Sequence, residues 1–151
     1  MPHALSNILV HLVFSTADRV PFLKDEKLRA DMHHYLGGIV KHHGGNTIIV
    51  GGVADHVHLL FVQPKTMSLS ELVRELKRGS SLWIKERKPA LSEFAWQSGY
   101  GAFSTGQTEV DVVRDYITKQ EEHHRTRTFQ EEYRAFLKKY GVGYDERFLW
   151  E

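Results

Sequence analysis

Two histidines, one tyrosine and one glutamine are the residues in this chain whose types and spacing point to chemistry. His56-Val57-His58 lies in a run that is apolar apart from those histidines. On a strand, i,i+2 spacing turns both imidazoles to one face and Val57, Leu59 and Phe61 to the other. Two neutral imidazoles a pleat apart can clamp one divalent cation. With 10 histidines in 151 residues, chance alone supplies on the order of one such pair, so the spacing by itself is a weak signal. Its setting says more, because an unpaired imidazole buried in an apolar strand costs free energy that a ligand would relieve. Two hydrogen-bonded structural histidines are the alternative reading of the same residues.

Tyr116 and Gln120 stand four apart in a segment of helical spacing, so their side chains stack on one face about one turn from each other. A phenol ionises near pH 10 and is a poor nucleophile at neutral pH unless a cation or base stabilises the phenolate. By itself, a tyrosine on an apolar helical stripe is ordinary core. The polar group of Gln120 one turn on sets this stripe apart.

The elements that must position these residues follow from periodicity. Ile8 to Phe14 alternates as a strand buried on both faces. Asp25 caps a helix carrying Leu28, Met32, Tyr35, Leu36 and Ile39 until His43-Gly44-Gly45 stops it. Thr47 to Val53 and His56 to Val62 read as a hairpin turning at Ala54-Asp55. Ser68 and Glu71 form a capping box for a helix reaching about Arg87. Phe94 to Phe103 reads as an irregular strand, Thr108 caps a helix with Val110, Val113, Tyr116, Ile117 and Gln120 on one side, and Thr128 with Glu131 caps another ended by Gly141. The order β-α-β-β-α-β followed by helices predicts an α+β fold. It is the split βαβ pattern of a ferredoxin-like antiparallel sheet with helices on one face, plus a C-terminal helix bearing Tyr116. A chain of 151 residues buries enough surface for one core, so 1–151 is expected to be a single domain.

Composition excludes more than it identifies. The absence of cysteine rules out disulfides and thiolate metal sites and fits a reducing cytoplasm. No signal peptide pattern and no run of eighteen apolar residues stands in the sequence, so neither export nor membrane spanning is expected. A net charge of +1 is silent about nucleic acid, which needs only a local basic stripe.

In order along the chain, Phe14-Ser15-Thr16, His56-Val57-His58, Trp96-Gln97-Ser98-Gly99-Tyr100-Gly101-Ala102-Phe103-Ser104, then Tyr116-Ile117 with Gln120 and His123-His124 resemble the single-tyrosine transposases of the insertion sequence 200/605 group, members of the HUH endonuclease superfamily. The resemblance covers nearly the whole chain, and the conjunction is far more specific than any piece. It implies that Tyr116 attacks a phosphodiester in single-stranded DNA with hairpin ends, leaving a 5′-phosphotyrosine link and a free 3′-hydroxyl. It also implies Mg²⁺ or Mn²⁺ held by His56, His58 and Gln120, and a homodimer whose tyrosine helix acts in trans.

Arg74, Arg78 and Lys85, with Lys77 adjacent, fall on one stripe of the second helix and are candidates for a DNA backbone track, as solvated helix faces also are. Arg19 is a further DNA-binding candidate from family position. Gly99, Gly101 and Gly106 precede the tyrosine helix as either a hinge or plain turns. His123 and His124 are outer-sphere groups or helix-end cations; His33-His34 and His42-His43 read as surface. Two further readings stand beside the transposase: a non-catalytic or domesticated nucleic-acid binder on the same scaffold, and a zinc hydrolase using His56, His58 and His123 or His124.

Overall fold

The computed structural model describes residues 4–151. Four strands, β1 (Leu9–Ser15), β2 (Asn46–Val53), β3 (His56–Val62) and β4 (Gly101–Thr105), form one antiparallel sheet in the order β2-β3-β1-β4. β1, buried at every position, is central, which is why its sequence shows no polar face. Two helices cover one side. α1 (Glu26–His42) starts where the Asp25 carboxylate accepts from the backbone N–H groups of Lys27 and Leu28. It stops before Gly44, whose φ of 92° favours glycine. α2 (Leu69–Arg87) carries the reciprocal Ser68–Glu71 box. Leu28, Met32 and Leu36 of α1 and Leu72, Leu76 and Ile84 of α2 close over Leu12, Phe14, Val57, Leu59 and Phe61. Each such buried side chain contributes about 1.5–3 kcal/mol. This is the ferredoxin-like arrangement that the element order predicts.

The sheet's other face is covered too. α3 (Val110–Thr118), α4 (Gln120–His123) and α5 (Phe129–Lys139) pack there. Phe129, Tyr133 and Leu137 of α5 meet Val13 and Phe103 from the sheet in a second, smaller core. The antiparallel register places Val13 opposite His58 and Ser15 opposite His56. Residues paired this way share a face, so β3 sends Val57, Leu59 and Phe61 to the first core and both histidines to the C-terminal helices.

Three local expectations change. Residues 94–100 are loop rather than strand. Their aromatics plug the core, with Trp96 edge-on to Phe14 and Phe94 and its indole N–H donating to Ser80 Oγ at 2.9 Å. α3 starts at Val110 after a 3-10 turn at Gln107–Glu109, without a cap from Thr108. The predicted continuous helix breaks at Lys119 (φ −97°, ψ 25°), so Gln120 opens α4 instead of extending α3.

His33 is half-buried on α1 rather than on the surface, and burial lowers its pKa to about 4. The folded value lies below the unfolded one of about 6.5, so the stabilisation is full above pH 6.5 and is lost as pH falls toward 4. Discounted for partial exposure, the loss is about 1–2 kcal/mol. Denaturant melts between pH 4 and 7 should show it, and His33→Gln should flatten that slope.

Candidate active site

Backbone approach builds this site before any side chain does. Gly51 of β2 faces His58 across the ladder, and a Cβ there would lie 2.7 Å from Ile117 Cγ2 and 2.8 Å from the Ile117 carbonyl oxygen. Only glycine lets α3 settle so closely on the sheet. That contact buries Ile117 and carries Tyr116, the preceding residue, over the histidines. The His58 and Tyr116 ring centroids are 5.9 Å apart within a single chain.

At the centre lies a residue that the sequence reading missed. Glu132 of α5 is fully buried. One carboxylate oxygen, Oε1, is 2.9 Å from His58 Nε2 and 3.4 Å from His56 Nε2. The other, Oε2, accepts from the Tyr116 hydroxyl and, at 3.2 Å, from Gln120 Nε2. Gln120 turns its amide oxygen to His56 Nε2 at 3.0 Å. His56, His58 and Glu132 each offer a donor atom within 4.8 Å of the others.

The remaining imidazole nitrogens are tied down. Asp55 Oδ1 lies 2.7 Å from His56 Nδ1, and His11 Nε2 lies 2.8 Å from His58 Nδ1. Burial lowers the His11 pKa to about 3, so His11 is neutral and either donates to His58 Nδ1 or accepts from it, according to which nitrogen of His58 carries its proton. Such partners fix tautomer and ring orientation, leaving both Nε2 atoms facing Glu132. Two oriented imidazoles, a carboxylate and an amide oxygen suit a divalent cation.

Electrostatics follow the same geometry. Burial opposes the charge on Glu132, but hydrogen bonds from His124, His56 and His58 outweigh it and hold the carboxyl well below its usual range. Burial also opposes a charged His56, and hydrogen bonds with Asp55 and Glu132 raise it to about 9. For Tyr116, burial first and the Glu132 charge second push the phenol above its ordinary value. At rest, therefore, Tyr116 is a neutral phenol. Arg127 Nη2 donates to its oxygen at 3.1 Å.

A family model described as "Transposase IS200 like" matches residues 4–120. The chain belongs to that family. Among solved structures, this IS200-like transposase family member is similar to a protein from Deinococcus radiodurans R1 assigned as a transposase. The TM-score is 0.64 at 21% identity, over 80% of this chain and 95% of the other. A REP-associated tyrosine transposase bound to a REP hairpin is similar at TM-score 0.60 and 13% identity, over 82% of this chain and 72% of the other. None of the curated proteins compared with the chain matches it.

Of the residues singled out in the sequence, the transposase fold brings His56, His58, Tyr116 and Gln120 together. His124 joins them from outside, its Nε2 3.2 Å from Glu132 Oε2, while His123 stacks on Tyr116 with centroids 4.4 Å apart. The third member of the buried donor group is thus Glu132 rather than either of these histidines. The basic candidates of α2 lie on the opposite side of the sheet. Arg74 and Arg78 are exposed there and Lys85 is half-buried. Lys77 donates to the carbonyls of Gln97, Ser98 and Gly99 at 2.8, 3.1 and 2.7 Å; all three of its protons are committed to holding that loop on α2. Arg19 has a φ of 56° and lies 5.6 Å from the centre of the Trp150 ring. Gly101 is a close-packed strand glycine, since a Cβ would meet Tyr133 at 2.7 Å. Gly106 has ordinary extended backbone (φ −75°, ψ 152°).

Glu132 left a signal in the sequence. It shares the stripe of Phe129, Tyr133, Phe136 and Tyr140, a carboxylate at i+3 on the apolar side of a helix. Buried carboxylates are rare unless paired.

Proposed function

We propose that this transposase family member cleaves and rejoins single-stranded DNA through a 5′-phosphotyrosine link at Tyr116, with Mg²⁺ or Mn²⁺ held by His56, His58 and Glu132 and with Gln120 beside it. One observation carries the reading: the Tyr116 hydroxyl bonds to the carboxylate that both strand histidines face. In the reaction the Tyr116 oxygen bonds to phosphorus as the bond to O3′ breaks. The phenolic proton passes to solvent, Glu132 Oε2 holding the hydroxyl in place until then, and the 3′ oxygen leaves as a hydroxyl protonated from solvent. The phosphotyrosine conserves the bond energy, so attack by a 3′-hydroxyl rejoins strands without ATP. A bound divalent cation would supply the positive charge that favours the phenolate and polarises the scissile phosphate. Asp55 and His11 orient the imidazoles, and Arg127 holds the nucleophile's oxygen.

The hairpin-bound structural neighbour supports a partner DNA with hairpin ends. Arg19, Arg74, Arg78 and Lys85 are the side chains we assign to its backbone, with Lys77 positioning the loop beside them. Product ends test the reaction. Cleavage should leave a 3′ end that a polymerase extends and a 5′ end blocked until protease and phosphodiesterase treatment; a free 5′-phosphate would sink the tyrosine mechanism. Chelator should abolish cleavage.

Tyr116 reaches the histidines of its own chain, which supports action in cis; a homodimer with the tyrosine helix in trans is the alternative. Mixing Tyr116→Phe with His58→Ala protein separates them, because only the trans arrangement restores activity. Complete burial of His56, His58, Gln120 and Glu132 favours a second reading, a non-catalytic nucleic-acid binder. It requires DNA binding undiminished by chelator and no cleavage of any hairpin-bearing strand.

A further inference from the structure

Between α3 and α5 lies a cavity of about 270 Å³ that the proposed chemistry does not use. Tyr116 lines it, with the buried His11 of β1 at its floor and Arg127 and Lys139 contributing cations. Its aromatic wall is continuous with the nucleophile. Phe136 stands edge-on to Tyr116, with centroids 5.6 Å apart. Phe103 stacks on Phe136 at 5.6 Å and on Tyr140 at 4.7 Å. Val112, 64% exposed, leaves apolar surface without cover at the rim.

The polar groups here are equally one-sided. Arg127 gives Nη2 to Tyr116, while its Nε is buried with no hydrogen-bond partner among the described residues. A buried guanidinium donor left over beside a hydroxyl suits an oxygen of a phosphate, which takes the fork bidentately. Lys139 stands 5.4 Å from the centre of the Tyr140 ring, and its charge reaches His11. Two carboxylates bear on this end of the cavity: Glu131, whose charge reaches Arg127 while its side chain caps α5 at Thr128, and Glu132, which already accepts from Gln120 and Tyr116 and faces both strand histidines.

We propose that this cavity is a subsite for one nucleotide of single-stranded DNA, its base lying against Phe136 and Tyr140 and its phosphate against Arg127 and Lys139. Flat aromatic walls serve any base face, and cations at the rim serve any phosphate, the combination that holds single strands without reading sequence. The volume lies near the lower end of ligand sites, enough for a base and too small for a folded motif. The proposal rests on the transposase reading, which it deepens: the nucleotide seated here is the neighbour of the phosphate that Tyr116 attacks.

The test uses tetradeoxythymidylate and the same tetranucleotide with an abasic residue at each position in turn, titrated into the full chain and followed by NMR. One abasic position should weaken binding roughly tenfold, the stacking contribution of a single base, and the intact oligonucleotide should shift Val113, Ala135 and Tyr140 signals. Ala135→Phe, at an exposed position on α5 where the new ring fills the cavity, should abolish that discrimination. Lys139→Glu should weaken all the oligonucleotides together. Equal affinity for intact and abasic strands, or discrimination that persists in Ala135→Phe, would overturn the subsite. Cleavage is not needed for this readout, so tenfold base discrimination in a protein that forms no covalent adduct with single-stranded element ends would retain the subsite and remove the strand-transfer chemistry at Tyr116.

Discussion

Replacing Tyr116 with phenylalanine removes the covalent protein–DNA product while leaving cation binding and single-strand binding within about fivefold of the parent, the worth of one hydrogen bond. The substitution deletes one oxygen. That oxygen donates to Glu132 and accepts from Arg127, so its loss strands one donor, the part-buried Nη2 of that guanidinium. Glu132 keeps the contacts from His58 and Gln120, and the ring keeps its stack on His123. The fold should therefore lose only about 1 kcal/mol. Calorimetry with Mn²⁺, binding to a labelled strand and a denaturing gel separate the effects. Loss of cation binding together with loss of product would show that Tyr116 builds the site instead of reacting in it.

Glu132→Ala acts in the opposite way, on site and stability together. The carboxylate is the acceptor on which His56, His58, Gln120 and Tyr116 converge. Its removal leaves a raised, charge-favouring His56 and a buried amide without their partner. Breaking a buried pair this way costs about 3 kcal/mol or more, a fall in Tm of roughly 6–12 °C for a domain of this size. Cation affinity should fall about a hundredfold or more, beyond the 10–100-fold cost of losing an outer-sphere partner. Thermal melts with and without Mn²⁺ read both. The parent should gain stability with cation by mass action, close to 2.7 kcal/mol at a hundredfold excess over Kd, and the variant should gain none. Glu132→Gln keeps the shape and removes the charge; if it loads cation as the parent does, the carboxylate is structural and not a ligand.

How much of this was legible beforehand depended on whether the signal was local. The His56-Val57-His58 face, the α1 and α2 caps and the antiparallel hairpin are all written in short-range periodicity, and the structure repeats them nearly residue for residue. Residues 94–100 were not legible because aromatics that plug a core and aromatics that line a strand have the same composition. Lys119 hid its helix break, since no proline or glycine marks it. Gln120 nevertheless reaches His56 because the turn at Lys119 is tight, not because the helix continues. Glu132 is the instructive miss: the caps of its helix are plain in the sequence, yet the one carboxylate on its apolar stripe lies 74 residues from His58. Only the topology, which lays α5 across β3, brings them together. Lys77 makes the converse point, for a basic stripe cannot reveal which of its members already holds a loop carbonyl.

On the proposed mechanism the Tyr116 oxygen forms a bond to DNA phosphorus at a site organised by His56, His58 and Glu132. Incubation of the protein with single-stranded element ends and Mn²⁺, followed by trypsin, nuclease and fragment mass spectrometry, locates that bond. The peptide containing Tyr116 should carry a nucleotide mass on the tyrosine, absent when chelator replaces the metal. A nucleotide found on another residue, or cleaved DNA with Tyr116 unmodified throughout the time course, would contradict the account.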